Sequence, residues 1–168
     1  MASLLVIGGA RSGKSRYAQQ RAEATGLSPV FIATAQAFDD EMHARIARHR
    51  ADRHAGWQTV EAPLDLAQAI VTHSAADRVL LVDCLTLWVT NLMLGDHDLE
   101  AALHAVTNAI ARSEGQLIFV SNEVGWGIVP ENPLARRFRD LAGLVNQRIA
   151  ACVNEVQLIC AGLGLRMK

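Results

Sequence analysis

Lysine is almost missing from this 168-residue chain. Lys14 and Lys168 are the two, and the other fourteen of its sixteen basic positions are arginine. Net charge is missing too. At −1 there is no global basic field to hold nucleic acid non-specifically. No apolar run approaches the ~20 residues that a membrane span needs. The first apolar strand begins almost at Met1, which leaves no room for a signal peptide, so a cytoplasmic protein is expected. Cysteine is scarce: Cys84, Cys152 and Cys160 show no metal-ligand spacing. Their apolar surroundings predict buried small hydrophobes and no disulfide. Internal repeats, low-complexity tracts and linkers are absent, which predicts one domain over residues 1–168. What remains is half apolar and one-fifth charged, the balance of a chain that folds.

One of the two lysines stands in Gly8-Gly9-Ala10-Arg11-Ser12-Gly13-Lys14-Ser15. A glycine, four residues and Gly-Lys-Ser is the phosphate-binding loop pattern. A Gly-rich turn can match it by accident. Here the apolar run Leu4–Ile7 precedes it and a helix-prone run from Arg16 to Thr25 follows, the strand–loop–helix setting that the motif requires. The glycines let N–H groups turn inward onto phosphate oxygens. Lys14 can reach the β- and γ-phosphates, and the Ser15 hydroxyl can hold Mg²⁺. The helix presents its positive end to the same anion.

Beyond the loop, strands and helices alternate. Strands are expected at Val30–Thr34, Trp57–Val60, Val79–Asp83, Gln116–Ser121 and Val156–Cys160, with a possible edge strand at Leu165–Lys168. Helices are expected from about Asp39 to Ala51, over Leu64–Ser74, Leu85–Leu94 and Leu99–Arg112, and from Pro133 to about Asn154. Unbroken apolar strands between helices predict an α/β fold, a mostly parallel sheet covered on both faces. Val79-Leu80-Leu81-Val82-Asp83 ends in an acid, as does the strand that carries the metal-side aspartate of phosphate-loop enzymes. Asn122–Asn132 holds two glycines, a proline and Trp126, and predicts a loop at a strand's carboxyl end, where open α/β sheets make ligand contacts. A Trp in such a loop can equally pack its own loop. The chain lacks Asn-Lys-x-Asp, which reads guanine in regulatory GTPases, and Leu-Ser-Gly-Gly-Gln, the transporter ATPase signature. Its small size favours a kinase or transferase acting on a small molecule.

Glu41–Arg53 is the second informative stretch. On a helix Arg45 and His49 share a face, and Arg48, Arg50 and Arg53 crowd the same turns. Arginines around one imidazole suit a polyanion and disfavour the imidazolium, leaving a neutral nitrogen that can attack phosphorus. A solvated basic helix face accounts for the same spacing, and His43 and His54 are rival candidates.

Several segments occur together in one order: the loop at Gly8, Ile32-Ala-Thr34, Asp39-Asp-Glu-Met42, Arg45-Ile46 with His49-Arg50, Trp57 with Glu61, and Asn122-Glu-Val-Gly125 with Gly127-Ile-Val-Pro-Glu-Asn132. Leu134-Ala-Arg136, Phe138-Arg-Asp140, Ala142-Gly143 and Val145-Asn-Gln-Arg148 continue the series. Together they resemble the bifunctional adenosylcobinamide kinase/adenosylcobinamide-phosphate guanylyltransferase family of cobalamin synthesis, over almost the whole chain. The resemblance implies a phosphate-loop fold similar to the RecA core, and a propeller-shaped homotrimer. It implies phosphorylation of adenosylcobinamide by ATP or GTP. GMP transfer from GTP to adenosylcobinamide phosphate would follow, through a GMP–histidine intermediate at His49. It implies nucleotide contacts at Gly8 to Ser15, at Ala33, Thr34 and Ala35, at Arg50, Ala51, Asp52 and Arg53, and at Glu61 and Asp83. Mg²⁺ would sit on Ser15 and Asp83. Some relatives carry two adjacent histidines where this chain has Arg48-His49, which leaves His49 alone at that spot. The stretch after Leu94 is also shorter than in some relatives, as in a trimmed surface loop. Asp83 and Glu61 both remain open as the group that takes the proton from the acceptor hydroxyl. Trp126 and its loop are the candidate apolar surface at a subunit boundary.

Overall fold

The structure is a computed structural model, which describes residues 2–36 and 56–168. The helix expected from Asp39 to Ala51 lies outside the described residues. Within them the chain forms β1 (Ser3–Gly8), α1 (Lys14–Glu23), β2 (Ser28–Ala33), β3 (Gln58–Glu61), α2 (Leu66–His73), β4 (Arg78–Asp83), α3 (Leu85–Leu94), α4 (Leu99–Arg112), β5 (Gln116–Asn122), α5 (Pro133–Cys152), β6 (Glu155–Cys160) and β7 (Leu163–Arg166). The strands make one sheet in the order β3-β2-β4-β5-β1-β6-β7. All its pairings are parallel except β6 with β7.

The apolar runs become central strands because both faces are buried, and period-two alternation sorts their side chains. Leu5, Leu80, Val82, Leu117 and Phe119 join the core formed with α2, α3, α4 and α5. Leu4, Val6, Leu81, Ile118 and Val120 turn the other way, onto Ala18 and Ala22 of α1. The two alanines let that helix lie close to the sheet. Trp88 is fully buried, and its indole N–H donates to Leu64 O at 2.9 Å, which satisfies the one polar group of a large apolar side chain. Helix starts follow local chemistry. Asp98 accepts from Ala101 N, and Asn132 accepts from Leu134 N and Ala135 N just before Pro133.

Two expectations need correction. Cys84 is buried, but Cys152 and Cys160 are exposed, because each sits at the end of its element. The edge strand is Leu163–Arg166, set two residues earlier than expected by a tight turn. Ala161 and Gly162 both take positive φ, 51° and 80°, the backbone of a two-residue hairpin turn. No helix among the described residues is long and apolar enough to cross a membrane.

Candidate active site

Parallel strands in register place their carboxyl ends along one edge of the sheet. Gly8 of β1 pairs with Asn122 of β5. Ala33 of β2 pairs with Asp83 of β4 on one side and Glu61 of β3 on the other. Positions spread over more than a hundred residues of sequence thus meet at one edge, where open α/β sheets bind ligands. The strand ending in Asp83 is not adjacent to the loop strand, since β5 lies between them.

The loop from Gly8 to Gly13 is held from outside. Gly8 O accepts from Glu123 N at 3.0 Å, and Ser12 O accepts from Gly162 N at 2.8 Å. These two bonds engage the carbonyls of Gly8 and Ser12 with neighbouring main chain, so neither needs to face an anion in the loop. Arg11 and Gly13 take positive φ, 53° and 95°, reversing the chain into α1. No side chain caps that helix start, so its first N–H groups are open to an anion. Lys14 is only 9% exposed, and its Nζ donates back across the loop to Gly9 O at 3.0 Å. The Ser12 hydroxyl is buried with no hydrogen-bond partner among the described residues. This is one more donor inside the cradle.

The Cys84 thiol reports on the neighbouring charges. Burial, and then the Asp83 carboxylate, push it up to about 11, against hydrogen bonds with the Leu87 backbone and the Thr86 side chain and, least of all, the Lys14 ammonium, which pull it down. Lys14 and Asp83 therefore act on the same sulfur with opposite sign, and Cys84 stays a neutral thiol. Among the described residues, no group of three or more His, Cys, Asp or Glu side chains could hold a metal ion unaided. Ser15 and Asp83 are hard oxygen donors that suit Mg²⁺, an ion that completes its shell with phosphate oxygens and water.

The structure brings together Gly8 to Ser15, Ala33 to Ala35, Glu61 and Asp83. His49 and Arg50 to Arg53 lie outside the described residues, as do His43, Arg45, Arg48 and His54. Thr34 has a role that its position in the sequence did not show. Its hydroxyl donates to Cys84 O at 2.7 Å and accepts from Cys84 N at 2.8 Å. Asn91 of α3 donates to Thr34 O at 2.8 Å and to Pro63 O at 3.0 Å. The side chain of Thr34 thus ties β2 to β4, and Asn91 ties both to the end of β3. A second network joins α3 to the middle of the edge. Thr86 Oγ1 accepts from Asn122 N and Nδ2, while Asn146 donates to Asn122 O and accepts from Ser121 Oγ at 2.6 Å. The available signal was a polar trio, Thr86, Thr90 and Asn91, in an otherwise apolar helix.

The family model described as cobinamide kinase / cobinamide phosphate guanyltransferase matches residues 4–167. The chain belongs to this family. A bifunctional adenosylcobalamin biosynthesis protein CobP of Pseudomonas aeruginosa is 48% identical over 166 residues, 98% of this chain and 96% of that protein. The proteins of the same description named CobU are 44% identical in Salmonella typhimurium and 42% in Escherichia coli, each match covering 98% of this chain and 99% of the relative. In fold, the flagellar accessory protein FlaH of Methanocaldococcus jannaschii aligns with a TM-score of 0.52 at 12% identity, over 99% of this chain and 78% of that one. That likeness concerns the fold alone. The α/β phosphate-loop architecture and the enzyme family expected from the residues both hold.

Proposed function

We propose that this enzyme phosphorylates adenosylcobinamide with ATP or GTP, and then transfers GMP from GTP to the resulting phosphate, using one domain over residues 1–168. The observation that carries the kinase half is the built cradle: carbonyls tied to neighbouring main chain, an uncapped α1 and a buried Lys14 folded over the loop. In the kinase step the acceptor hydroxyl oxygen bonds to the γ-phosphorus, its proton passes to Asp83 or Glu61, the bond to the bridging oxygen breaks, and ADP or GDP leaves. Lys14 and the loop N–H groups stabilise the charge on the transferring group. Ser15 and Asp83 would hold Mg²⁺, which supplies charge neutralisation at the phosphates.

In the transferase step an imidazole nitrogen of His49 bonds to the α-phosphorus of GTP and pyrophosphate leaves. A phosphate oxygen of adenosylcobinamide phosphate then bonds to that phosphorus, the P–N bond breaks, and adenosylcobinamide-GDP is released. A neutral imidazole spares the enzyme the direct approach of two polyanions. Arg50 and Arg53 are assigned to nucleotide phosphate, and Ala33 to Ala35 and Glu61 to further nucleotide contacts. Thr34 makes its contact through the backbone, because its side chain is committed to Cys84. The enzyme is taken to work in the cytoplasm as a homotrimer.

The test is incubation with [α-³²P]GTP. The wild type is expected to retain label through an acid-labile, base-stable bond, and His49→Asn to retain none. Label on the variant would remove His49 from the mechanism. A wild type without label would remove the transferase half. Lys14→Ala is expected to lose both reactions, and His49→Asn only the second.

A further inference from the structure

The segment after β5 is anchored by polar contacts but leaves its apolar side chains in solvent. Trp126 is 77% exposed and Ile128 97%, with Val124 and Val129 beside them. The backbone beneath is tied at several points. Glu123 N donates to Gly8 O, and the Glu123 carboxylate accepts from Gly125 N at 2.6 Å. Arg139 donates to Gly125 O at 2.8 Å, and Arg136 to Pro130 O and Glu131 O. A segment fixed by guanidinium and carboxylate contacts does not need its Trp to pack it, and Trp126 does not do so. An exposed aromatic and β-branched surface on a held backbone is the usual form of a ligand or partner contact.

Its place decides between occupants. The segment leaves the sheet from β5, which is next to the loop strand, and its first residue is hydrogen-bonded to the first glycine of the phosphate cradle. The segment that carries Trp126 therefore starts at the rim of the phosphate cradle, three residues before the indole. The acceptor named by the family, a cobinamide, is a corrin macrocycle too large for a loop-sized cradle, with apolar ring faces and amide-bearing edges. It needs an open apolar surface at the rim of the cradle, from which its side arm can reach inward. Gly127 leaves open space where a side chain would stand, so the backbone there is accessible to ring amides.

We propose that residues 124–129 form the shelf on which the corrin ring of the kinase acceptor rests, with Trp126 and Ile128 against the ring face. This rests on the kinase reading above and adds where its acceptor sits. The test uses the full chain with Trp126→Ser/Ile128→Ser, and with Trp126→Phe as the conservative variant. Cobinamide phosphorylation by ATP is assayed together with calorimetric ATP binding and sedimentation. For the double variant, kcat/KM for cobinamide is expected to fall at least about tenfold, while its ATP affinity and sedimentation match wild type. Trp126→Phe is expected to retain most of the activity. An unchanged kcat/KM for cobinamide overturns the shelf. A smaller sedimenting species that has lost affinity for both substrates also overturns it, and assigns the surface to a second copy of the chain. Should the wild type not phosphorylate cobinamide, the kinase reading itself fails, which is seen before any variant is compared.

Discussion

At Gly8 a methyl group would meet main chain. A Cβ there would lie 2.4 Å from Ile159 O and 2.7 Å from Ser12 Oγ. β6 has little freedom to retreat, because it is bonded to β1 on one side and β7 on the other. Gly8→Ala is expected to cost about 1–3 kcal/mol of stability through overpacking and to weaken ATP binding, since the displaced Ser12 belongs to the cradle. Gly9 is the control for stability. A Cβ there meets nothing within 4 Å, so Gly9→Ala should stay within about 0.5 kcal/mol of wild type. Urea titration of both variants, with calorimetry on Gly8→Ala, checks the pair. The spacing of glycines and Lys14 was readable because the phosphate loop is local, eight consecutive residues whose chemistry fixes their order. Thr34 was not readable in the same way. Its partner is Cys84, fifty residues on, and nothing in either neighbourhood specifies the other.

Among the elements, α3 shows how a buried helix can carry polar work. Asn91 satisfies two carbonyls, Thr34 O and Pro63 O, at the ends of different strands. Asn91→Leu keeps much of the volume but strands both acceptors, and should cost about 1–3 kcal/mol. Equilibrium unfolding measures the loss. A variant as stable as wild type would mean that neither carbonyl depends on this donor. The outer element pair, α1 and β6, gives a pH-dependent term. Arg21 donates two bonds of 2.9 Å to Glu155, and this pairing, against partial burial, holds the carboxyl at about 2 instead of 4.5. The folded pKa is depressed, so the contribution is complete above about pH 4.5 and fades as pH falls towards about 2. Arg21 is 38% exposed, which screens the pair to about 1 kcal/mol. Glu155→Gln should therefore lower stability at neutral pH by that amount, and the gap from wild type should close between those two pH values in chemical unfolding. Element type was legible from periodicity and from Gly and Pro punctuation. Element ends were less so: the turn at Ala161-Gly162 contains no Asn or Asp, and one of its two positive-φ residues is an alanine, which composition does not announce.

For the molecule as a whole, the parallel sheet collects the carboxyl ends of β1, β2, β3, β4 and β5 at one edge. That edge was predictable in kind from the alternation of strands and helices. The insertion of β5 between the loop strand and the Asp83 strand was not, because strand order depends on which helix faces bury best and leaves no local mark. The arrangement has a thermodynamic consequence. A nucleotide seated on the loop engages α1, β1, β5 and the hairpin turn at Gly162 together, so binding stabilises the folded chain as a unit. At a hundred times its dissociation constant a ligand adds about 2.7 kcal/mol, and a chain of this size gains about 2–4 °C per kcal/mol. GTP with Mg²⁺ should thus raise Tm by roughly 5–10 °C in calorimetric scans. Lys14→Ala should lose most of that shift at the same nucleotide concentration, because the missing ammonium lowers affinity while the sheet beneath is unchanged. Were the variant to show the full shift, the nucleotide would be binding away from the loop, and the cradle would not be its site.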